Sequence, residues 1–169
     1  MKKVSSLLAA SVGIVMLCGL ATLARAGEAE QTEIKALKQN YVKALEAKDV
    51  DALMAVYENS PTLVVFDVIP PRQYLGWEAY KKDWQGVLGG CTGPMKAELT
   101  EMTIVAEGNV GYGHEIQHLS CPTKGAPLDM TLRATDGYAK KDGKWLIAHE
   151  HLSVPVDLAT GKGDLTSKP

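Results

Sequence analysis

Four runs of alternating polar and apolar side chains, at residues 96–106, 110–120, 130–140 and 144–154, constrain the fold most strongly. Between them lie Glu107-Gly108-Asn109, the stretch 121–127 and Asp142-Gly143, all rich in turn formers. A period of two marks strands that lay one face on a core. Strands separated by such short breaks pair antiparallel. In the last run the alternation predicts that Trp145, Ile147, His149, His151 and Ser153 share a face. Two apolar residues there lead into three polar ones, so the strand is expected to start in a core and end in a pocket wall.

The register of the final hairpin decides which residues join them. A three-residue loop at 141–143, with Gly143 left-handed, sets Arg133 opposite His151 and Thr135 opposite His149. The pocket face would then hold Thr131, Arg133, Thr135, His149, His151 and Ser153. A two-residue loop would instead bring Asp136 opposite His149. The first register is preferred, because it gathers the polar side chains and leaves Tyr138 with Leu146 on the other face.

A sheet with one apolar face needs a cover. Residues 30–57 supply one, with Ile34, Leu37, Tyr41, Val42 and Leu45 at helical spacing. Lys48-Asp49 breaks the helix, and Asp49 is placed to cap a second one. Residues 62–69 are β-branched and apolar, which predicts a strand. Asp67 interrupts it, either at an exposed strand end or inside a cavity. Pro70-Pro71 ends the strand, and a turn from Tyr74 leads into a third helix at 78–86. Its Trp77, Tyr80 and Trp84 suit a core or a pocket lid.

Residues 1–26 open with Lys2 and Lys3, continue apolar, and close on Ala24-Arg25-Ala26. This is the pattern of an export signal peptide cut after Ala26. Its removal takes the net charge from −2 to −5. The mature protein is expected to be periplasmic or secreted, with no membrane contact after cleavage. Cys91 and Cys121 then remain as an even pair in an oxidising compartment. They fall at the same end of the hairpin formed by the first two runs, which predicts a disulfide. No Lys/Arg cluster suggests nucleic acid.

The stretches YVKALEAKDVDALMAVY at 41–57, FDVIPP at 66–71 with Tyr74 and Gly76, and DGKWLIAHEHLSVP at 142–155 resemble the SnoaL-like and ketosteroid-isomerase-homologue proteins. These belong to the nuclear transport factor 2-like superfamily. The resemblance implies an α+β, cone-shaped domain over residues 27–157, with N-terminal helices on the concave face of a curved, mostly antiparallel sheet. A loose tail is expected at 158–169. The same resemblance places Tyr41 as an oxyanion donor, Asp67 near the position of a catalytic base and, only in the less favoured two-residue-loop register, Asp136 near that of an oxyanion acid. It also suggests a homodimer through the outer sheet face.

Two functions are consistent with these residues. One is acid–base catalysis of an isomerase, cyclase or dehydratase type on a small organic molecule. His149, His151, Asp67 and Tyr41 would carry the chemistry, and Arg133, Ser153, Trp84, Tyr74 and Thr135 would hold the ligand. The other is non-catalytic binding of a small anionic ligand by Arg133 and the neighbouring donors. No cofactor is expected. A metal site built from His149, His151, His114 and His118 is the less favoured reading.

Overall fold

The computed structural model describes residues 8–167, with side chains from residue 27 onward. The expected signal peptide lies outside the residues whose side chains are described. Among the described residues no helix is long and apolar enough to cross a membrane.

Helix α1 (Leu8–Ala47) buries Ile34, Leu37, Lys38, Tyr41, Ala44 and Leu45 along one stripe. Lys48, at φ 54, turns the chain, and its N–H donates to the Leu45 carbonyl at 2.9 Å. A left-handed residue in this place is a common helix stop. Asp49 then caps α2 (Val50–Met54), its side chain accepting from the Ala52 N–H at 2.9 Å. The two-helix corner expected at Lys48-Asp49 is therefore present.

Strand β1 (Val64–Phe66) is shorter than the apolar run suggests. Asp67 cuts it off, because its Oδ1 accepts from the Val68 N–H at 2.6 Å and the Ile69 N–H at 3.4 Å. Side-chain bonds of this kind compete with ladder pairing. Strand β2 (Tyr74–Leu75) follows, then Gly76 at φ 87, then α3 (Trp77–Gly90). The positive φ explains the glycine at the entry to α3. This helix runs four residues beyond the expected end.

The four alternating runs become β3 (Lys96–Glu107), β4 (Val110–Cys121), β5 (Leu128–Lys141) and β6 (Lys144–Ser153). They form one sheet with the order β2-β1-β6-β5-β4-β3, in which only β1 and β6 pair parallel. The helices cover the concave face. The fold is α+β, as expected. Residues 154–167, which include most of the expected loose tail, are largely exposed but tied back. The Thr131 N–H donates to the Leu165 carbonyl at 2.6 Å, and Asp164 N–H to the Pro155 carbonyl at 2.8 Å.

The last hairpin follows neither expected register. It begins as a two-residue loop, pairing Lys141 with Lys144 and Tyr138 with Ile147. One extra residue, Ala148, then enters β6, so that Gly137 pairs with His149, Asp136 with Glu150, Thr135 with His151 and Arg133 with Ser153. This is a β-bulge. It falls where the free edge of β6 changes partner. The Ile147 N–H bonds the Val56 carbonyl at 2.9 Å and its carbonyl receives the Glu58 N–H at 2.8 Å, whereas from His149 on the neighbour is β1. A one-residue shift exchanges the faces of a strand. Trp145 and Ile147 point into the core, and beyond the bulge so do Glu150 and Leu152.

Cys91 and Cys121 form the expected disulfide, at a sequence separation of 30 and a Cα–Cα distance of 5.7 Å. It ties the end of α3 to the end of β4. Closing a loop of that length should add about 3.7 kcal/mol of stability. Replacing both cysteines by serine is expected to lower the unfolding free energy by that order in urea titrations. An unchanged midpoint would contradict this role.

Candidate functional site

The concave face of the cone carries two layers. The deeper one is polar. Lys38, on the buried stripe of α1, places Nζ 2.6 Å from Asp136 Oδ2 and 2.7 Å from Glu115 Oε1. Tyr138 donates to the same Asp136 oxygen at 2.9 Å, and Gln117 Nε2 donates to Glu115 Oε1 at 2.9 Å. Tyr41 donates to Gln117 Oε1 at 3.2 Å. Beside them, Glu150 Oε2 accepts from Tyr57 at 3.0 Å and Tyr80 at 2.8 Å.

This layer holds three carboxyl groups and one lysine, all at 2% exposure or less. Burial disfavours the Lys38 charge, but Asp136, Glu115 and Glu150 outweigh it and hold the ammonium above its ordinary pKa. Burial raises Glu115, opposed by Lys38 and reinforced by Asp136. Burial also pushes Glu150 up to about 8, with Asp136 adding to the shift and Lys38, Tyr80 and Tyr57 opposing it. Asp136 and Glu150 face each other directly across β5 and β6, where like charges repel. Each has one oxygen without a protein donor, Asp136 Oδ1 and Glu150 Oε1. At neutral pH the layer therefore retains a proton, centred on Glu150.

The shallower layer is apolar. Leu119, Leu132 and Leu152 form its floor, each two residues or more along its strand from the polar layer. Trp84 and Val87 of α3 form one wall, and Asp67, Val68 and Ile69 after β1 another. Together with Leu128, Met130 and Asp83 they enclose about 90 Å³. Helix α3 spans both layers, with Tyr80 in the polar one and Trp84 one turn later in the pocket. Their ring centroids are 6.0 Å apart.

Asp67 is the titratable group most altered by this pocket. Burial raises its pKa, the Val68 N–H draws it back, Asp83 raises it further, and the Ile69 N–H lowers it. The Asp83 carboxylate accepts from the Tyr74 hydroxyl at 2.6 Å. Tyr74 thus braces the pocket's rim from outside.

Of the residues proposed from the sequence, the fold brings Asp67 and Trp84 together at the pocket, with Tyr74 behind. Tyr41 lies in the polar layer with its hydroxyl engaged. Arg133, Thr135, His149, His151 and Ser153 sit on the outer face of the sheet: the first two because the two-residue loop turns Tyr138 and Asp136 inward on β5, the last three because the Ala148 bulge reverses β6 beyond Ile147. The expectation that they line the cone is corrected. His149 Nδ1 donates to the Val64 carbonyl at 2.8 Å, and Phe66 packs edge-on against both histidines, with centroids 5.2 and 5.6 Å away. His118 faces outward against Asp129 at 2.8 Å. Among the described residues no group of three or more His, Cys, Asp or Glu is arranged to hold a metal.

Lys38, Glu115, Gln117 and Glu150 were not anticipated. Lys38 had a signal, since it lies four residues from Ile34 and three from Tyr41 on the apolar stripe. Glu115 and Gln117 share the parity of Leu119 and Cys121 in β4. Glu150 has the parity opposite to Trp145, and only the bulge turns it inward.

A cone of helices over a curved sheet, enclosing a small pocket, defines the nuclear transport factor 2-like class. Solved structures agree. A nuclear transport factor 2-like protein of unknown function from Pseudomonas putida is 32% identical, with a TM-score of 0.75 over 84% of this chain and 98% of that one. A superfamily member from Salmonella enterica is 20% identical, with a TM-score of 0.67 over 79% and 96%. A proposed dehydratase of the same class from Streptomyces avermitilis is 13% identical, with a TM-score of 0.63 over 75% and 97%. No curated protein sequence matches the chain. The SnoaL-like domain family matches residues 34–157, and the chain belongs to that family.

The proton on Glu150 has a thermodynamic consequence. Its folded pKa, about 8, exceeds the ordinary 4.5, so the folded state binds more protons between those values. Its contribution to stability is full below pH 4.5 and is lost as pH rises through 8. For one proton the slope is at most about 1.4 kcal/mol per pH unit. Urea midpoints of the wild type should fall between pH 5 and 8, and those of Glu150→Gln should fall less steeply. Equal slopes would remove the proton from Glu150.

Proposed function

We propose that the protein binds a small, uncharged, largely apolar organic molecule in the Asp67–Trp84 pocket and that Asp67 transfers a proton to or from it. The observation that carries this reading is a carboxyl group raised by burial at the edge of an apolar cavity. Such a group takes and returns protons nearer neutral pH than an ordinary aspartate. Isomerisation and dehydration both need that step, and dehydration is the reaction in the name of the Streptomyces neighbour.

The pocket's charge argues against the anionic ligand anticipated from the sequence. Asp67 and Asp83 border it, and the donors meant to hold an anion lie on the other side of the sheet. The volume, about 90 Å³, is below the roughly 150 Å³ of a cavity that holds benzene, so it suits a smaller fragment than a six-membered ring.

The test is solvent deuterium incorporation into a panel of small neutral carbon acids (ketones, esters and nitriles) alongside their carboxylate analogues, read by mass spectrometry. The wild type should label a subset of the neutral compounds. Asp67→Asn should label them at least about 100-fold more slowly. No labelling by the wild type, or labelling undiminished in the variant, would overturn the acid–base role.

We also propose export with cleavage after Ala26, and self-association through the outer sheet face. The Cys91–Cys121 disulfide supports the first. Exposed Phe66, Val105, Val110 and Tyr112 support the second. Intact mass and sedimentation velocity of protein from a periplasmic extract address both. The reading requires a chain starting at Gly27 and sedimenting as a dimer. A retained leader would contradict export, and a monomer would contradict self-association.

A further inference from the structure

A bulge also interrupts β3. Thr100 pairs with Ile116 and Thr103 with His114, so β3 carries one residue more than β4 between these pairs. Within it Glu101 is left-handed, at φ 53, and exposed. A residue other than glycine is strained in that conformation. Bulges re-aim side chains. This one sets a carboxylate on the rim of a groove on the outer face of the sheet.

The groove encloses about 230 Å³. Ile116 of β4 and Thr131 and Arg133 of β5 line it from the sheet, and Pro155 and Ser167 line it from the C-terminal segment. That segment is held in place. Val156 pairs with Gly163, the Asp164 N–H donates to the Pro155 carbonyl at 2.8 Å, and the Thr131 N–H donates to the Leu165 carbonyl at 2.6 Å. The tail thus takes over the edge of β5 where β6 ends at Ser153, and it gives the groove a wall. The exposed apolar residues Val105, Val110 and Tyr112 lie four or more residues along β3 and β4 from Glu101 and Ile116, so the groove is separate from them.

Arg133 and Glu101 are both exposed, and among the described residues neither forms an ion pair, with the other or with any third group. The groove therefore offers one guanidinium and one carboxylate, beside the hydroxyls of Thr131 and Ser167 and the apolar Ile116 and Pro155. A simple anion would meet Arg133 and be repelled by Glu101, and a simple cation the reverse. A molecule that carries both charges engages the two side chains at once. We propose that this groove is a further binding site, for a small zwitterion of the free α-amino acid class. Its carboxylate sits on the Arg133 guanidinium, its ammonium on the Glu101 carboxylate, and its aliphatic side chain against Ile116 and Pro155. The volume exceeds the roughly 150 Å³ of a cavity that holds benzene, which leaves room for an amino acid of the size of leucine. The site is independent of the Asp67–Trp84 pocket, which lies on the opposite face of the sheet.

Three probes separate the two charges: L-leucine, N-acetyl-L-leucine, which lacks the ammonium, and L-leucinamide, which lacks the carboxylate. Each is titrated into the full protein and followed by two-dimensional ¹H–¹⁵N NMR. L-Leucine should shift the backbone amides of Ile116 and Thr131 and the Arg133 Nε–H. Each analogue should bind at least about tenfold more weakly, the loss of one charge-assisted hydrogen bond. Glu101→Gln should weaken L-leucine by a similar factor and bring it within about twofold of N-acetyl-L-leucine. Arg133→Gln should bring it within about twofold of L-leucinamide. No shift at the groove, an analogue that binds as tightly as L-leucine, or variants that keep the wild-type discrimination would overturn the site. The three probes are compared first in the wild type, and both substituted side chains are exposed, so a poorly folded variant does not decide the outcome.

Discussion

Lys38 is an ammonium group 1% exposed, and a charge so deeply buried persists only with partners in hydrogen-bond reach. Glu115 and Asp136 supply them at 2.7 and 2.6 Å, from two neighbouring strands. The positions of both strands and of α1 are thereby tied to one nitrogen atom. Asp136 in turn stands opposite Glu150, and that pairing exists only because Ala148 is extra in β6. Without the bulge, His149 would take the place of Glu150. The interior would then carry an imidazole where Tyr57 and Tyr80 now hold a protonated carboxyl group.

The polar layer also shapes the pocket above it. Tyr80 of α3 is fixed by Glu150, and Trp84 follows one turn later, so the helix that walls the pocket is anchored from below. Leu152 follows Glu150 by two residues and becomes part of the pocket floor. The same bulge therefore sets both the deep acid and the apolar surface on which a ligand would rest. Asp67 arrives independently, at the end of a strand that its own side chain terminates.

Much of the fold was legible because it rests on local periodicity. The stripe through Ile34, Tyr41 and Leu45, the cap at Asp49 and the four alternating runs each report their own element. The pairing of Cys91 with Cys121 followed from the first hairpin. The site was less legible, because a bulge leaves no mark in the alternation itself. Trp145, Ile147, His149 and His151 share a parity in the sequence and yet divide between two faces. The reason is tertiary, the change of neighbour along β6 from residues 56–58 to β1. Asp67 and Trp84, which line the pocket, stood out because a carboxylate ending an apolar run and an aromatic helix are unusual on local grounds alone.

The register of β5 against β6 is the point from which the polar layer, the outward histidines and the pocket floor all follow. Cross-strand Hα–Hα and HN–HN nuclear Overhauser effects measure it directly in the native protein. The account predicts contacts between Tyr138 and Ile147 and between Gly137 and His149, a step of two residues on β6 for one on β5. Contacts between Asp136 and His149, with no such step, would put the histidines back inside the cone and contradict it.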